Sequence, residues 1–330
     1  MIEQYNLVNS YLPWFFPLFV TLFGACIGSF LNVCIHRIPE NRSVVFPGSH
    51  CACGASIPGY HNIPVLSWII LGGKARCCGR RFSIRYPVIE AFTAMVFLLC
   101  WISYSELGFG KAVGGMVFAS ILICATVIDL DHMIIPDRFT IGGFAAGLLI
   151  SACFPSLHGF IEGPYTLDVM RGFSTALIGG LVGSALVLWI GLFAETILRR
   201  EAMGFGDVKF LGAIGAFCGW QGAVFSVFGG AMIGTVGVVL FLPFRGLLRG
   251  AKADPQTVPN ERESDKSDGA SEEDEETGGD EEAGPDGEAL IGRQVPFGPM
   301  LALAGLLYFL VFESRVDAYF ADVAWMIFVF

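Results

Sequence analysis

The chain alternates between long apolar runs and short polar breaks. A membrane span needs about 20 apolar residues, with a range near 17–25. Residues 13–33 meet that length, while 88–104 and 112–128 are at its lower limit and 139–154 is shorter. Residues 173–197 form a long run rich in small side chains. Residues 208–244 are too long for one upright span, and Gly219-Trp220-Gln221-Gly222 is a natural turn dividing them. Residues 295–312 make another span, and 316–330 a short apolar segment with Asp317 and Asp322, suited either to a ninth span or to the interface. The expected fold is an all-α polytopic membrane protein with about eight transmembrane helices.

Composition agrees with this pattern. The 330 residues are 54% hydrophobic and only 15% charged, against about 25% charged in soluble domains. The 30 Phe and 42 Gly suit helices packed closely in lipid. The net charge of −10 is local in origin: residues 250–293 carry 15 acids and 4 bases, and the rest of the chain is near neutral. That acidic, Ser/Gly/Pro-rich stretch has too little apolar surface to offset its ordering entropy and reads as a disordered linker. No basic patch points to nucleic acid.

Loop charge sets orientation. Residues 38–86 hold Arg42, Lys74, Arg76, Arg80, Arg81 and Arg85 against Glu40 alone. By the positive-inside rule this loop is cytoplasmic and the N-terminus outside. The N-terminal flank Met1-Ile2-Glu3-Gln4 lacks the positive charge of a secretory signal. Five divisions follow: a first span (1–37), a cytoplasmic loop subdomain (38–87), a transmembrane core (88–249), the acidic cytoplasmic linker (250–293) and the C-terminal segment (294–330).

Carboxylates then gather at the cytoplasmic membrane edge. Asp129 and Asp131 end one span, Asp137 opens the next, Glu195 closes a later one, and Asp207 follows Gly204-Phe205-Gly206. Acids at this depth are costly and point to function. Two that share a site cannot both ionise easily, so one can act as base on a water while the other acts as acid, with no nucleophilic Ser or Cys. Spacing alone cannot choose between Asp129 and Asp131, which point to different helix faces. Asp137 after Pro136 fits a helix N-cap, and Glu195 is placed to pair with Arg199. The Gly204/Gly206 pair lacks the third glycine and preceding strand of a dinucleotide site. A proton or ion transporter using these acids as a relay, and a non-catalytic assembly scaffold for a pilus or secretion system, are the alternatives to an enzyme.

Six strings occur in order: Gly28-Ser29-Phe30-Leu31-Asn32-Val33 with Arg37, Asn62 to Trp68, Arg85-Tyr86-Pro87-Val88-Ile89-Glu90, Ile128-Asp129-Leu130-Asp131 with Pro136-Asp137, Gly204-Phe205-Gly206-Asp207 with Lys209, and Pro296-Phe297-Gly298-Pro299. Together they resemble the bacterial prepilin peptidases of the inner membrane. The resemblance implies an aspartic endopeptidase with Asp129 and Asp207 catalytic. It would cut the leader of prepilin or pseudopilin precursors of type IV pili and type II secretion after Gly, on the cytoplasmic side. It also implies N-methylation of the new N-terminal residue with S-adenosylmethionine, an expectation carried by the large loop that peptidase-only relatives lack. Gly73, Lys74 and Glu90 are candidates for that second activity, outside the catalytic pair.

The cysteines depart from the family pattern of two Cys-x-x-Cys pairs. Here they stand as Cys51-Ala52-Cys53 and adjacent Cys77-Cys78. Four thiols in one cytoplasmic loop favour structural zinc over disulfides. Adjacent cysteines turn inward poorly, which leaves unbound thiols equally open, with His50 or His61 as substitute ligands. The six remaining cysteines lie in or beside apolar runs and read as small hydrophobes.

Overall fold

The computed structural model describes residues 2–51, 53–105, 108–199, 203–250 and 296–328. The expected linker, 250–293, lies outside the described residues apart from Gly250 at its start. Among the described residues the protein is all-helical, with two isolated bridges and no strand. The helices are α1 (Ile2–Tyr11), α2 (Phe15–Arg37), α3 (Leu66–Ile70), α4 (Arg85–Tyr104), α5 (Phe109–His132), α6 (Asp137–Cys153), α7 (Tyr165–Leu198), α8 (Phe205–Gly250), α9 (Gly298–Leu307) and α10 (Glu313–Phe328). Two compact units divide the chain: Met1–Thr235 with Pro296–Phe330, which contains every contact described below, and Val236–Val295.

Six helical stretches are long and apolar enough to cross a membrane: Phe15–Arg37, Arg85–Tyr104, Phe109–His132, Tyr165–Leu198, Phe205–Leu240 and Gly298–Met326. The count differs from the sequence reading for identifiable reasons. α6, with 17 residues, is just short of that length. α8 runs through the expected turn, but its backbone breaks there, at Gly219 with φ 70°. The last two expected segments are one path: α9 passes through a π-helical turn, Tyr308–Phe312, directly into α10. The residues expected to form a separate short element therefore prolong a helix.

Lipid-exposed helices gain little from the hydrophobic effect and associate by close packing. α2 lies against α4 with almost no gap: a Cβ on Gly28 would come within 2.7 Å of the Glu90 Cα. Deeper in, Phe118 of α5 stacks on Phe217 of α8 with centroids 5.0 Å apart, and Phe309 packs on the same ring at 5.7 Å. These rings tie α5, α8 and the C-terminal path into one core.

The two ends of the bundle differ chemically. At one end, α4 begins and α5 finishes, and Arg85 joins Asp131. At the other, Lys111 near the start of α5 pairs with Glu313 at 2.7 Å, and both side chains are mostly buried. The Tyr104 hydroxyl donates to the Phe309 carbonyl and also approaches Glu313, while Tyr308 donates to Asp317 at 2.7 Å. About 27 Å of helix separates Lys111 from Asp129 at a rise of 1.5 Å per residue. Acids thus occur at both ends, but at the far end Glu313 has its own cation and Asp317 accepts from Tyr308.

Candidate active site and cysteine cluster

α5 stops just beyond Asp129. Met133 takes a left-handed conformation (φ 53°) and its N–H returns to the Asp129 carbonyl at 2.9 Å. The following turn, through Ile135 and Pro136, starts α6. Asp137 is the first helical residue of α6 and Pro136 its N-cap, so the expected capping role shifts by one position. The Asp137 carboxylate instead accepts from Lys209 of α8 at 2.7 Å.

Each nearby acid has a different environment. Asp131 is held by a two-pronged Arg85 contact of 2.9 and 2.6 Å. Asp129, only 6% exposed, has no cation partner among the described residues and accepts from the main-chain N–H of Gly298. Asp207 opens α8, is half-buried, and lies within electrostatic reach of Asp129. Both aspartates adjoin Ile135 through glycines: the Cβ positions of Gly298 and Gly206 fall 2.9 and 3.7 Å from its side-chain carbons. A side chain on Gly298 would also reach 2.5 Å from the Asp129 Oδ2. Glu195 is elsewhere, at the end of α7. Arg199 closes that helix with its N–H on the Glu195 carbonyl, and the expected side-chain ion pair does not form.

The structure thus brings Asp129, Asp207 and Gly298 together from positions far apart in sequence, and gives Asp131 and Asp137 to cations. Gly298 was visible in the sequence only as part of a Pro-Phe-Gly-Pro string, without a role. Arg85 was visible as loop charge and as the first residue of the Arg-Tyr-Pro-Val-Ile-Glu string, without a partner. Such an arrangement, one buried carboxylate and one half-buried carboxylate without counter-ions, suits proton exchange with a water between them.

The cysteines also converge. The Sγ atoms of Cys51, Cys53, Cys77 and Cys78 lie within 4.8 Å of one another, with Cys51 to Cys78 at 3.6 Å and Cys53 to Cys77 at 3.4 Å. Four sulfurs at about 2.3 Å from a tetrahedral zinc would be about 3.8 Å apart, so the set fits such an ion. Two tight turns overcome the short spacing. Gly54 N–H bonds the Cys51 carbonyl, and Gly79 N–H bonds the Ala75 carbonyl, each at 2.8 Å. His50 directs Nδ1 at the Gly48 carbonyl, and four sulfurs complete the set without it. Hydrogen bonds from the Cys53 N–H and from the thiols of Cys77 and Cys78 pull the Cys51 thiol down to about 7. Cys77, which hydrogen-bonds Cys53 and Cys51, is pushed up to about 12. The cluster thus favours one thiolate, at Cys51, and a metal would have to displace the protons held by the others.

Comparison with known proteins agrees with this geometry. Residues 22–104 match the bacterial peptidase A24 N-terminal domain, and residues 116–239 match the type IV leader peptidase family. A prepilin leader peptidase/N-methyltransferase of Myxococcus xanthus is 35% identical over 256 residues, covering 76% of this chain and 70% of that protein. A leader peptide-processing enzyme for type 4 prepilin-like proteins from Escherichia coli is 37% identical, covering 63% and 78%. A prepilin leader peptidase/N-methyltransferase of Klebsiella pneumoniae is 33% identical, covering 67% and 94%. No solved structure matches the chain.

Proposed function

Since the chain belongs to the type IV leader peptidase family, we propose that Asp129 and Asp207 are its catalytic pair and that it cuts the leader from prepilin or pseudopilin precursors. The observation that carries this reading is the contrast among neighbouring acids. Asp131 and Asp137 pair with Arg85 and Lys209, while among the described residues Asp129 and Asp207 have no cation and Asp207 feels the charge of Asp129.

In this reading one carboxylate takes a proton from water as the water attacks the scissile carbonyl. The other, protonated because like charges resist joint ionisation, donates to the leaving amine. Gly298 N–H orients Asp129 for that exchange. The pair lies at the inner-membrane edge that bears the arginine-rich loop, which we take as cytoplasmic, with the N-terminus outside. There a basic leader reaches the aspartates while the hydrophobic helix behind it stays in lipid. The four cysteines hold zinc as a fold-stabilising ion for the loop subdomain. The relatives' second activity comes to this chain as methylation of the new N-terminal amine with S-adenosylmethionine.

The test uses purified full-length protein and a prepilin, with and without S-adenosylmethionine, followed by mass measurement of the product. Asp129→Asn and Asp207→Asn should each lower cleavage on the order of 1,000-fold while inserting normally. Wild-type cleavage by either variant would remove that residue from the reaction.

A further inference from the structure

A cavity of about 980 Å³ lies between the ends of α2 and α4 and the cysteine-bearing loop. Its size is at the upper end for small-molecule sites. Tyr60, Trp68 and Tyr86 give it aromatic faces, and Arg76, Arg80 and Arg81 line its loop side. On the α2 side the charged lining is His36, Arg37, Glu40 and Arg42, of which Glu40 and Arg42 pair with each other at 2.9 Å. Gly73 lines the cavity and lies against the Trp68 indole. An aromatic, arginine-rich cavity suits a ligand with a flat ring system and a carboxylate, a class that includes S-adenosylmethionine.

At the α4 side of this cavity is Glu90, 8% exposed and within a membrane-spanning helix. Arg42 pairs with Glu40 and Arg85 with Asp131, and none of the ion pairs among the described residues includes Glu90. One oxygen accepts the Val65 N–H at 2.7 Å. Val65 has φ 62° and ψ −51°, a conformation rare for a β-branched residue. Backbone held in this way gathers at functional sites. Glu90 is also near the proposed cleavage site along its own helix: Arg85, which clasps Asp131, is about 7.5 Å of helical rise away.

We propose that this cavity is the methyl-transfer chamber and that Glu90 is the carboxylate that receives the new N-terminal amine and takes its proton, a proposal that rests on the methyltransferase reading above. The α-amine of a freshly cut chain has a pKa of about 7.7–8.0 and is mostly ammonium near neutral pH. Ammonium has no lone pair with which to attack carbon. A buried carboxylate attracts it, and in the fraction of encounters in which the proton passes to the carboxylate the free amine is the nucleophile. S-adenosylmethionine supplies the methyl group: the N–C bond forms as the C–S bond breaks, sulfur keeps the electron pair, and S-adenosylhomocysteine leaves. Glu90 passes its proton to water as the methylated ammonium departs, which restores the carboxylate.

Full-length protein with Glu90→Gln tests this, because the amide oxygen still accepts the Val65 N–H. Cleavage should stay within about twofold and S-adenosylhomocysteine affinity, by titration calorimetry, within about threefold, while methylation near pH 7 falls about 100-fold. Raising the pH to about 9 should restore much of the methylation, since the amine then deprotonates by itself. A second variant, Trp68→Ala, should weaken S-adenosylhomocysteine binding at least about tenfold with cleavage retained. Wild-type methylation by the Glu90 variant, a loss that high pH does not repair, or unchanged affinity in the Trp68 variant overturns the proposal. A wild-type chain that cleaves but adds no methyl group overturns both this proposal and the methyltransferase reading beneath it.

Discussion

The main-chain N–H of Gly298 donates to the carboxylate of Asp129. The two residues are 169 positions apart, on α9 and α5, and no room exists between them for a side chain: a Cβ on Gly298 would lie 2.5 Å from Oδ2 and 2.9 Å from the Ile135 Cδ1. Gly298→Ala should therefore displace Asp129, Ile135 or the start of α9. Misplacement on the ångström scale costs about 100-fold in rate. Timed cleavage of a prepilin by Gly298→Ala protein, with insertion checked in membranes, measures it; a loss below about threefold would show that the contact does not position Asp129.

The two ion pairs flanking the aspartates should differ in weight. Lys209–Asp137 is largely exposed on the acid side, and such pairs contribute about 0–1 kcal/mol. Lys209→Ala should change cleavage and thermal midpoint little. Arg85–Asp131 is two-pronged, and Arg85→Lys removes one prong, so the larger loss of cleavage is expected there. A double-mutant cycle on each pair compares them directly.

At the opposite end, Lys111 and Glu313 form the most enclosed ion pair described. Glu313→Ala leaves a buried ammonium alone and should destabilise the detergent-solubilised protein by about 3–5 kcal/mol. Replacing both partners, Lys111→Met with Glu313→Leu, should recover most of that loss. Thermal unfolding of the three variants decides it, and cleavage by folded protein should change far less than stability.

Metal at the cysteine cluster has a pH signature. In metal-free protein one thiolate should form as pH rises through about 7, from Cys51, and Cys77 should remain protonated until about 12. Zinc must displace the remaining protons, so its affinity should fall with falling pH throughout the neutral range and more steeply below about 7, where Cys51 is protonated as well. Zinc content by mass spectrometry, near one equivalent in the wild type and strongly reduced in Cys53→Ser, together with thiolate absorbance during titration, checks both statements. Equal zinc content in the two proteins would remove Cys53 from the ligand set.

The helical, membrane-spanning character was legible because apolar run length reports it directly, as did the edge position of the acids. What stayed hidden depended on partners distant in sequence. Asp129 and Asp131 look alike from spacing, and only Arg85, 46 residues before Asp131, distinguishes them. Resemblance chose Asp129; the fold shows that Arg85 binds Asp131 and leaves Asp129 to the Gly298 N–H. The cysteine spacing argued against four inward sulfurs because local geometry was considered without the turns at Gly54 and Gly79. Lys111 and Glu313 drew no attention because each lies at the end of an apolar run, where a charge is ordinary. The continuous path from α9 into α10 was read as two segments because Glu313, Arg315 and Asp317 resemble a loop.

The seam at Gly28 limits how the large cavity can admit anything. With the backbones of α2 and α4 already in contact there, those two helices form a fixed jamb and cannot part without losing their packing. Cys51 and Cys77 line the cavity on its loop side, so the cysteine cluster forms part of a different wall. If the cysteines hold zinc as proposed, removing the ion should loosen that part of the wall and change the rate at which the cavity takes up and releases S-adenosylhomocysteine.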